Sequence, residues 1–291
     1  MERKGLTFTV IMRAESANYG EGFGNISVLK KVSRGDHNQY SYISRQALRY
    51  NIVQQLGWDN TPVSDQGVVQ FAPEATIEKY PEIDLFGYMK TQGKSSDGDN
   101  GDTKARSAVA RLSNAIALEP FSGDLDFLTN MGLACRGKNL KNVIAQSEIQ
   151  ASYYAYTLSI DLERVGVDGD IDIDNSIKIE RVKKLLEAIQ FLYRDIKGRR
   201  ENLAPLFVVG GVYKRKNPFF EHRVLVKNNE VAINPILETK ECCDDVKSNT
   251  QCGVLSDVFS NDEKIKGELG ATSIAQFFSY LEGQVEAQYN G

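Results

Sequence analysis

The apolar positions of this chain change period several times, and the changes mark out its elements. Residues 6–12, LTFTVIM, are nearly continuous in apolar and β-branched character, which predicts a buried central strand ending at Arg13. Residues 41–56, SYISRQALRYNIVQQL, switch to helical spacing, with Ala47, Leu48, Ile52, Val53 and Leu56 on one face. Ser44 suits the N-cap and Gly57 a left-handed C-cap. Arg45 and Arg49, four apart, share a face. Ser44, Arg45 and Gln46 occupy the first turn, where free N–H groups and the helix dipole favour an anion. Such a row of donors suits a phosphate backbone; an ordinary solvated basic face has the same pattern.

Between these elements, residues 14–40 read as a loop, and their G-E-G-F-G spacing fits neither a Walker loop nor a dinucleotide fingerprint. Residues 58–81 read as a polar excursion with a hairpin, and 84–89 as a return to the core. Residues 91–104, TQGKSSDGDNGDTK, lack any large apolar side chain and have a disordered composition. Apolar character resumes over 105–118. In 119–150, glycines at 123, 132 and 137 break any long helix, and Phe127, Leu128 and Met131 precede Arg136, Lys138 and Lys141. That mixture suits contact with bases and phosphates, or a loop folded onto its own core.

Residues 151–162 alternate as a strand, with Tyr154, Tyr156, Leu158, Ile160 and Leu162 on one side. The acidic run 168–174 lacks the glycine and glutamate of a calcium loop and reads as a turn before a helix. A helix is predicted over 179–200 and a buried strand over 205–212. Gly210 and Gly211 in that strand allow close backbone approach. Lys214, Arg215 and Lys216 follow, as a phosphate contact or a solvated charge run. Residues 224–226 and 231–236 suggest a hairpin, 238–267 an irregular tail, and 273–288 a terminal helix. The order strand–helix–strand–strand–helix–strand predicts an α+β fold with an RRM-like (ferredoxin-like) sheet.

Composition adds limits. The 291 residues are 41% hydrophobic and carry a formal charge of −4, which argues against an indiscriminate polyanion binder. Basic character is local: residues 181–223 hold eleven Lys/Arg against four Asp/Glu. The N-terminus has no secretory or membrane-spanning pattern, and the four cysteines lack metal-ligand spacing. A cytoplasmic protein with no cofactor and no membrane partner is expected.

Ser44-Arg-Gln46-Ala-Leu48-Arg49 resembles the S-x-Q-x-L-[K/R] helix of the backbone subunit of type I CRISPR Cascade complexes. Asp84-Leu-Phe-Gly87-Tyr-Met89 resembles that family's aspartate–glycine–methionine element, and 105–117 the Ala/Val-rich helix after it. Asp126-Phe127-Leu128-Thr129 and the strand beginning at Ser147 resemble its thumb and the strand returning from it. Together they are most similar to the DevR-type branch of type I-B systems, over roughly residues 6–212.

The resemblance implies an RRM-like palm with inserted fingers and thumb: palm halves at 1–57 and 151–237, a fingers-type insertion at 58–118, a thumb-like arm at 119–150, and a C-terminal tail and helix at 238–291. It also implies a non-enzymatic subunit that polymerises with copies of itself along a crRNA guide, beside other Cascade subunits, and meets target DNA through that guide. RNA contact is then expected at Arg13, Ser44, Arg45, Gln46, Arg49, Arg136, Lys138, Lys214, Arg215 and Lys216, with Phe127, Leu128 and Met131 on the thumb. The fingers and residues 130–146 match poorly. A crRNA-processing endonuclease on a related fold and a DNA-binding autoregulator are the alternatives; isolated His37 and His222 and the lack of a helix-turn-helix pattern weigh against them.

Overall fold

A computed structural model describes residues 4–65, 67–91 and 103–290. The chain opens with β1 (Gly5–Ala14), β2 (Tyr19–Phe23), β3 (Ile26–Leu29), β4 (Lys31–Ser33), β5 (Gln39–Ile43) and α1 (Arg45–Leu56). An excursion follows: β6 (Val63–Asp65), β7 (Val69–Phe71), α2 (Pro81–Phe86), β8 (Tyr88–Thr91) and β9 (Thr103–Arg106), returning through β10 (Ala110–Leu112) and β11 (Ala115–Ala117). Next come β12 (Asp124–Thr129), α3 (Met131–Ala134), β13 (Ile144–Ile149), β14 (Ser152–Asp161), β15 (Val167–Asp168), β16 (Ile171–Asp172) and α4 (Asn175–Gln190). The remainder holds β17 (Tyr193–Ile196), β18 (Arg199–Asn202), β19 (Phe207–Tyr213), β20 (Val226–Lys227), β21 (Glu230–Val231), α5 (Ile233–Lys240), α6 (Asp244–Asn249), β22 (Gln251–Val254), α7 (Asp262–Leu269) and α8 (Ile274–Asn290).

The protein is a mixed α+β structure built on an antiparallel sheet. Among the described residues that sheet runs β22-β19-β1-β14-β11-β5-β4, with β10 also pairing with β14. β1 lies centrally, Phe8 facing Leu158 on one side and Gly210 on the other. Alternation along β1 sends Leu6, Phe8, Val10 and Met12 into a core completed by α1, α4 and α8. Phe8 meets Phe277 and Phe278 edge-to-face at 6.0 and 5.8 Å. On the opposite face, Thr7 and Thr9 pair with Ser159 and Thr157 through hydroxyls at 2.9 and 2.7 Å. Beyond them Ile11 joins a second core with Phe207, Ile236, Val246 and Ile265. Gly210 is required: a Cβ there would lie 2.2 Å from the Thr7 carbonyl oxygen.

Several sequence expectations change. Residues 14–40, expected as a loop, carry the strands β2, β3 and β4 and the start of β5. The Ala/Val-rich segment expected to be helical forms the end of β9, which pairs with β8, and then β10 and β11, whose backbones complete the sheet beside β14. The helix expected over 179–200 ends at Gln190, and 193–202 turn back as the hairpin β17–β18. Its charges follow a hairpin because Arg194 is buried and paired with Glu201 at 2.6 Å. The tail expected to be irregular over 238–267 holds the end of α5, α6, most of α7 and β22, which extends the main sheet through β19. Most of the low-complexity stretch 91–104 lies outside the described residues. No helix among the described residues is long and apolar enough to cross a membrane.

Candidate nucleic-acid interface

Helix α1 forms as its pattern requires. Leu48, Ile52 and Val53 are buried, and Gly57 closes the C-terminus at φ 64. Ser44 caps the other end, its Oγ accepting from the Ala47 N–H at 3.3 Å. Most of the first turn is satisfied by the protein itself: the Arg45 N–H donates to Asn114 Oδ1 at 2.9 Å. Asn18 Oδ1 in turn accepts the Ser44 N–H at 3.3 Å. Backbone amides therefore offer an anion less than the sequence suggested, and the side chains of Arg45, Gln46 and Arg49, all exposed, carry the charge and donors.

These three side chains border a cleft of about 300 Å³ whose other wall comes from β10. Phe86, Ala108, Ala110 and Leu112 form its apolar surface, and Arg111 adds a third guanidinium. Arg111 was missed in the sequence; read as a strand, residues 110–112 would have put it opposite in direction to its neighbours. Its Nη1 lies 3.0 Å from Asp161 Oδ2, which holds the side chain beside the cleft. Neither Arg45 nor Arg49 forms an ion pair among the described residues. Arg49 also borders an adjoining groove with Val63, Val69 and Met89, all exposed, on the excursion hairpins. Nearby, burial pushes the Glu82 carboxyl up from its ordinary value, while Thr61 and Arg49 pull it down.

Phe86 is positioned by a buried ionic cluster. Asp84, fully buried, meets Arg106 at 2.7 Å and Arg181 at 2.8 Å, and accepts the Gly166 N–H at 2.9 Å. Arg106 also donates to the carbonyls of Asp84, Arg164 and Val167. The cluster ties α2 to α4 and to the turn after β14. Gly87 follows at φ 76, where a Cβ would come within 2.4 Å of the Arg106 carbonyl oxygen. The aspartate and glycine of this short motif are thus explained by packing.

The arm is a hairpin. β12 pairs with β13 from Asp124↔Ile149 to Thr129↔Ile144, with α3 at its tip. Every residue of β12 is exposed. Phe127, Leu128 and Met131 are 55%, 67% and 59% exposed, so the alternative of a loop folded onto its own core does not hold. Arg136 and Lys138 are exposed just beyond them. The base of the arm is pinned by Glu148, whose carboxylate takes the Leu29 N–H at 2.9 Å and Lys31 Nζ at 2.7 Å.

The remaining candidates lie elsewhere. Arg13 is exposed at the end of β1, opposite Tyr153. Lys214 donates its backbone N–H to Asp245 at 3.0 Å, and Arg215 faces Cys243 Sγ at 3.8 Å. Lys216 is bound by Glu163 and lies 3.7 Å from Asp161. These three do not line the cleft; Lys216 reaches its border only through the Asp161 carboxylate it shares with Arg111.

Single chains of solved CRISPR assemblies share this fold. A chain of a "CRISPR RNA-guided surveillance complex" superposes with a TM-score of 0.62 at 15% identity, covering 98% of this chain and 99% of that one. A chain of such a complex in a pre-nicking state gives 0.60 at 10% identity over 98% and 99%. A protein of Myxococcus xanthus (strain DK1622) described as "CRISPR-associated protein Cas7/Cst2/DevR" is 23% identical over 175 residues, 55% of this chain and 58% of that relative. The family model described as "CRISPR-associated negative auto-regulator DevR/Csa2" matches residues 6–231. Matched over most of its length, the chain belongs to this CRISPR-associated family.

Proposed function

We propose that the chain is a crRNA-binding backbone subunit of a type I Cascade surveillance complex. In this reading β1, α1, β10–β11, β14, α4 and β19 form an RRM-like palm. Its strands lie in the order fourth, first, third, second, as a β-α-β-β-α-β unit demands. Residues 124–149 act as the thumb and the β6–β9 hairpins as fingers. Copies assemble along one guide in the cytoplasm, and base pairing by that guide selects the target DNA while the protein holds backbone shape and charge.

One observation carries the reading: Arg45 and Arg49 stand exposed on one helix face, without ion pairs among the described residues, above a cleft that also holds Arg111. Exposed cations clustered on a chain of net charge −4 suit an anionic partner, and many copies on one guide would sum modest contacts. The reading assigns no catalysis: His37 and His222 sit in separate exposed turns at φ 64 and 61, outside the cleft.

The test is co-expression of the tagged chain with a CRISPR array and its sibling subunits. A discrete RNA of guide length, lost when this chain is omitted, is the expected result. Binding to promoter DNA in preference to guide RNA would favour the autoregulator alternative, and cleavage of repeat RNA by the purified chain would favour the endonuclease.

A further inference from the structure

The hairpin β17–β18 carries three cations around its turn, Lys197, Arg199 and Arg200, yet each is engaged within the protein. Arg200 pairs with Asp195 at 2.9 Å, and Arg199 binds Glu15 and donates to Ser16 Oγ at 3.0 Å. Lys197 reaches the arm instead. Its Nζ donates to Ser147 Oγ on β13 at 3.1 Å and lies 4.5 Å from the ring centre of Tyr19 on β2. The Tyr19 hydroxyl donates in turn to the Glu148 carbonyl at 3.1 Å. Lys197 also holds a backbone conformation that lysine rarely adopts. The two-residue turn Lys197-Gly198 has φ of 50 and 77, a pattern that favours asparagine, aspartate or glycine at the first position. A lysine there is explained by what its side chain touches.

The body of the hairpin is anchored in the palm. Arg194, buried, donates to Glu201 at 2.7 Å and to the carbonyls of Ser16 and Ala17. Glu201 also accepts the Glu15 N–H at 2.7 Å. The link 15–18 held in this way joins β1 to the arm's sheet and touches both elements of the interface. The Glu15 carbonyl accepts the Gln150 N–H at the root of the arm, and Asn18 Oδ1 accepts the Ser44 N–H at the N-cap of α1. We propose that β17–β18 is a strut between palm and thumb. Arg194 anchors it, and Lys197 is a positioning residue that holds the thumb at one angle to the Arg45–Arg49 face. The inference rests on the RNA-binding reading and adds that this angle sets the length of RNA each copy spans, without the strut touching RNA.

The test places spin labels at Gln54→Cys on α1 and Leu140→Cys near the tip of the arm, both exposed positions, in the full chain with Cys135, Cys242 and Cys243 replaced by serine. Lys197→Asn suits the turn and removes the contact. The melting temperature should hold or rise while the distribution of distances between the labels broadens, a pairing that a merely structural residue would not give. Lys197→Arg, which keeps a cation over the Tyr19 ring, should restore the narrow distribution. In the assembled complex, Lys197→Asn should keep the wild-type salt slope of guide binding and lose the regular spacing of nuclease-protected positions. If Lys197→Asn fails to fold, Ser147→Ala tests the same contact from the thumb side. A distribution as narrow as that of the wild type overturns the strut. A broadened distribution with regular spacing kept overturns its effect on RNA, and a flattened slope makes Lys197 a phosphate contact and overturns the positioning role. No RNA retained by the wild-type complex overturns the proposed function and the RNA part of this inference, while the distances, measured without RNA, still decide the strut.

Discussion

Replacing Arg45 and Arg49 together by alanine separates binding from folding. Both side chains are exposed and neither forms an ion pair among the described residues, so little is lost beyond the attraction of Arg49 for the Glu82 carboxylate. Alanine is also the better helix former. The melting temperature should therefore stay within the range of ordinary surface substitutions, about ±0.5 kcal/mol. Binding behaves differently. Each phosphate contact on a single strand contributes about 0.7 to the slope of log K against log salt. Losing two flattens the slope by about 1.4 and, at physiological salt, weakens affinity about 15-fold, near 1.6 kcal/mol. Fluorescence anisotropy of labelled guide RNA across a salt series reads both quantities. An unchanged slope would refute the assignment whatever the affinity does, because counterion release cannot be preserved when its cations are gone.

Other outcomes follow from the same geometry. Asp84→Ala strands the buried guanidiniums of Arg106 and Arg181 and should cost about 3–5 kcal/mol in urea unfolding; a loss under 1 kcal/mol would show that the cluster reorganises. Phe127→Ala, at a site 55% exposed, should leave the melting temperature nearly unchanged. It should loosen the assembled complex and open periodic guide positions to nuclease, whereas a sharp fall in melting with an intact footprint would contradict the thumb assignment. Glu82 is held with its carboxyl shifted upward from 4.5 by burial, so the native state binds that proton more tightly than the unfolded chain. Its penalty is absent at low pH and grows as pH rises through the folded value. Glu82→Gln should therefore raise the melting temperature at pH 7 relative to wild type and lose that advantage at pH 4.

The central elements were legible because their determinants are local. The apolar run of β1, the alternation in β14 and the Ser44-to-Gly57 frame of α1 each state their own period and ends, and tertiary packing agreed with them. Phe127, Leu128 and Met131 could be singled out but not placed, since a residue's type does not say what covers it. Residues 105–117 misled for a related reason. Alanine and valine fill a helix face or a sheet, and only the unsatisfied edge of β14 decided for strands. The tail became ordered because β22 found the edge of β19 and α8 covered Phe8, the latter a contact between opposite ends of the chain. The candidate site divides in the same way. Helical periodicity alone put Arg45 and Arg49 on one face. Arg111 joined them, and Lys216 was drawn to Asp161 and Glu163, because a cleft is made where separate segments meet. Pattern determines which face of an element a side chain occupies, while the long-range pairing of strands determines what that face confronts.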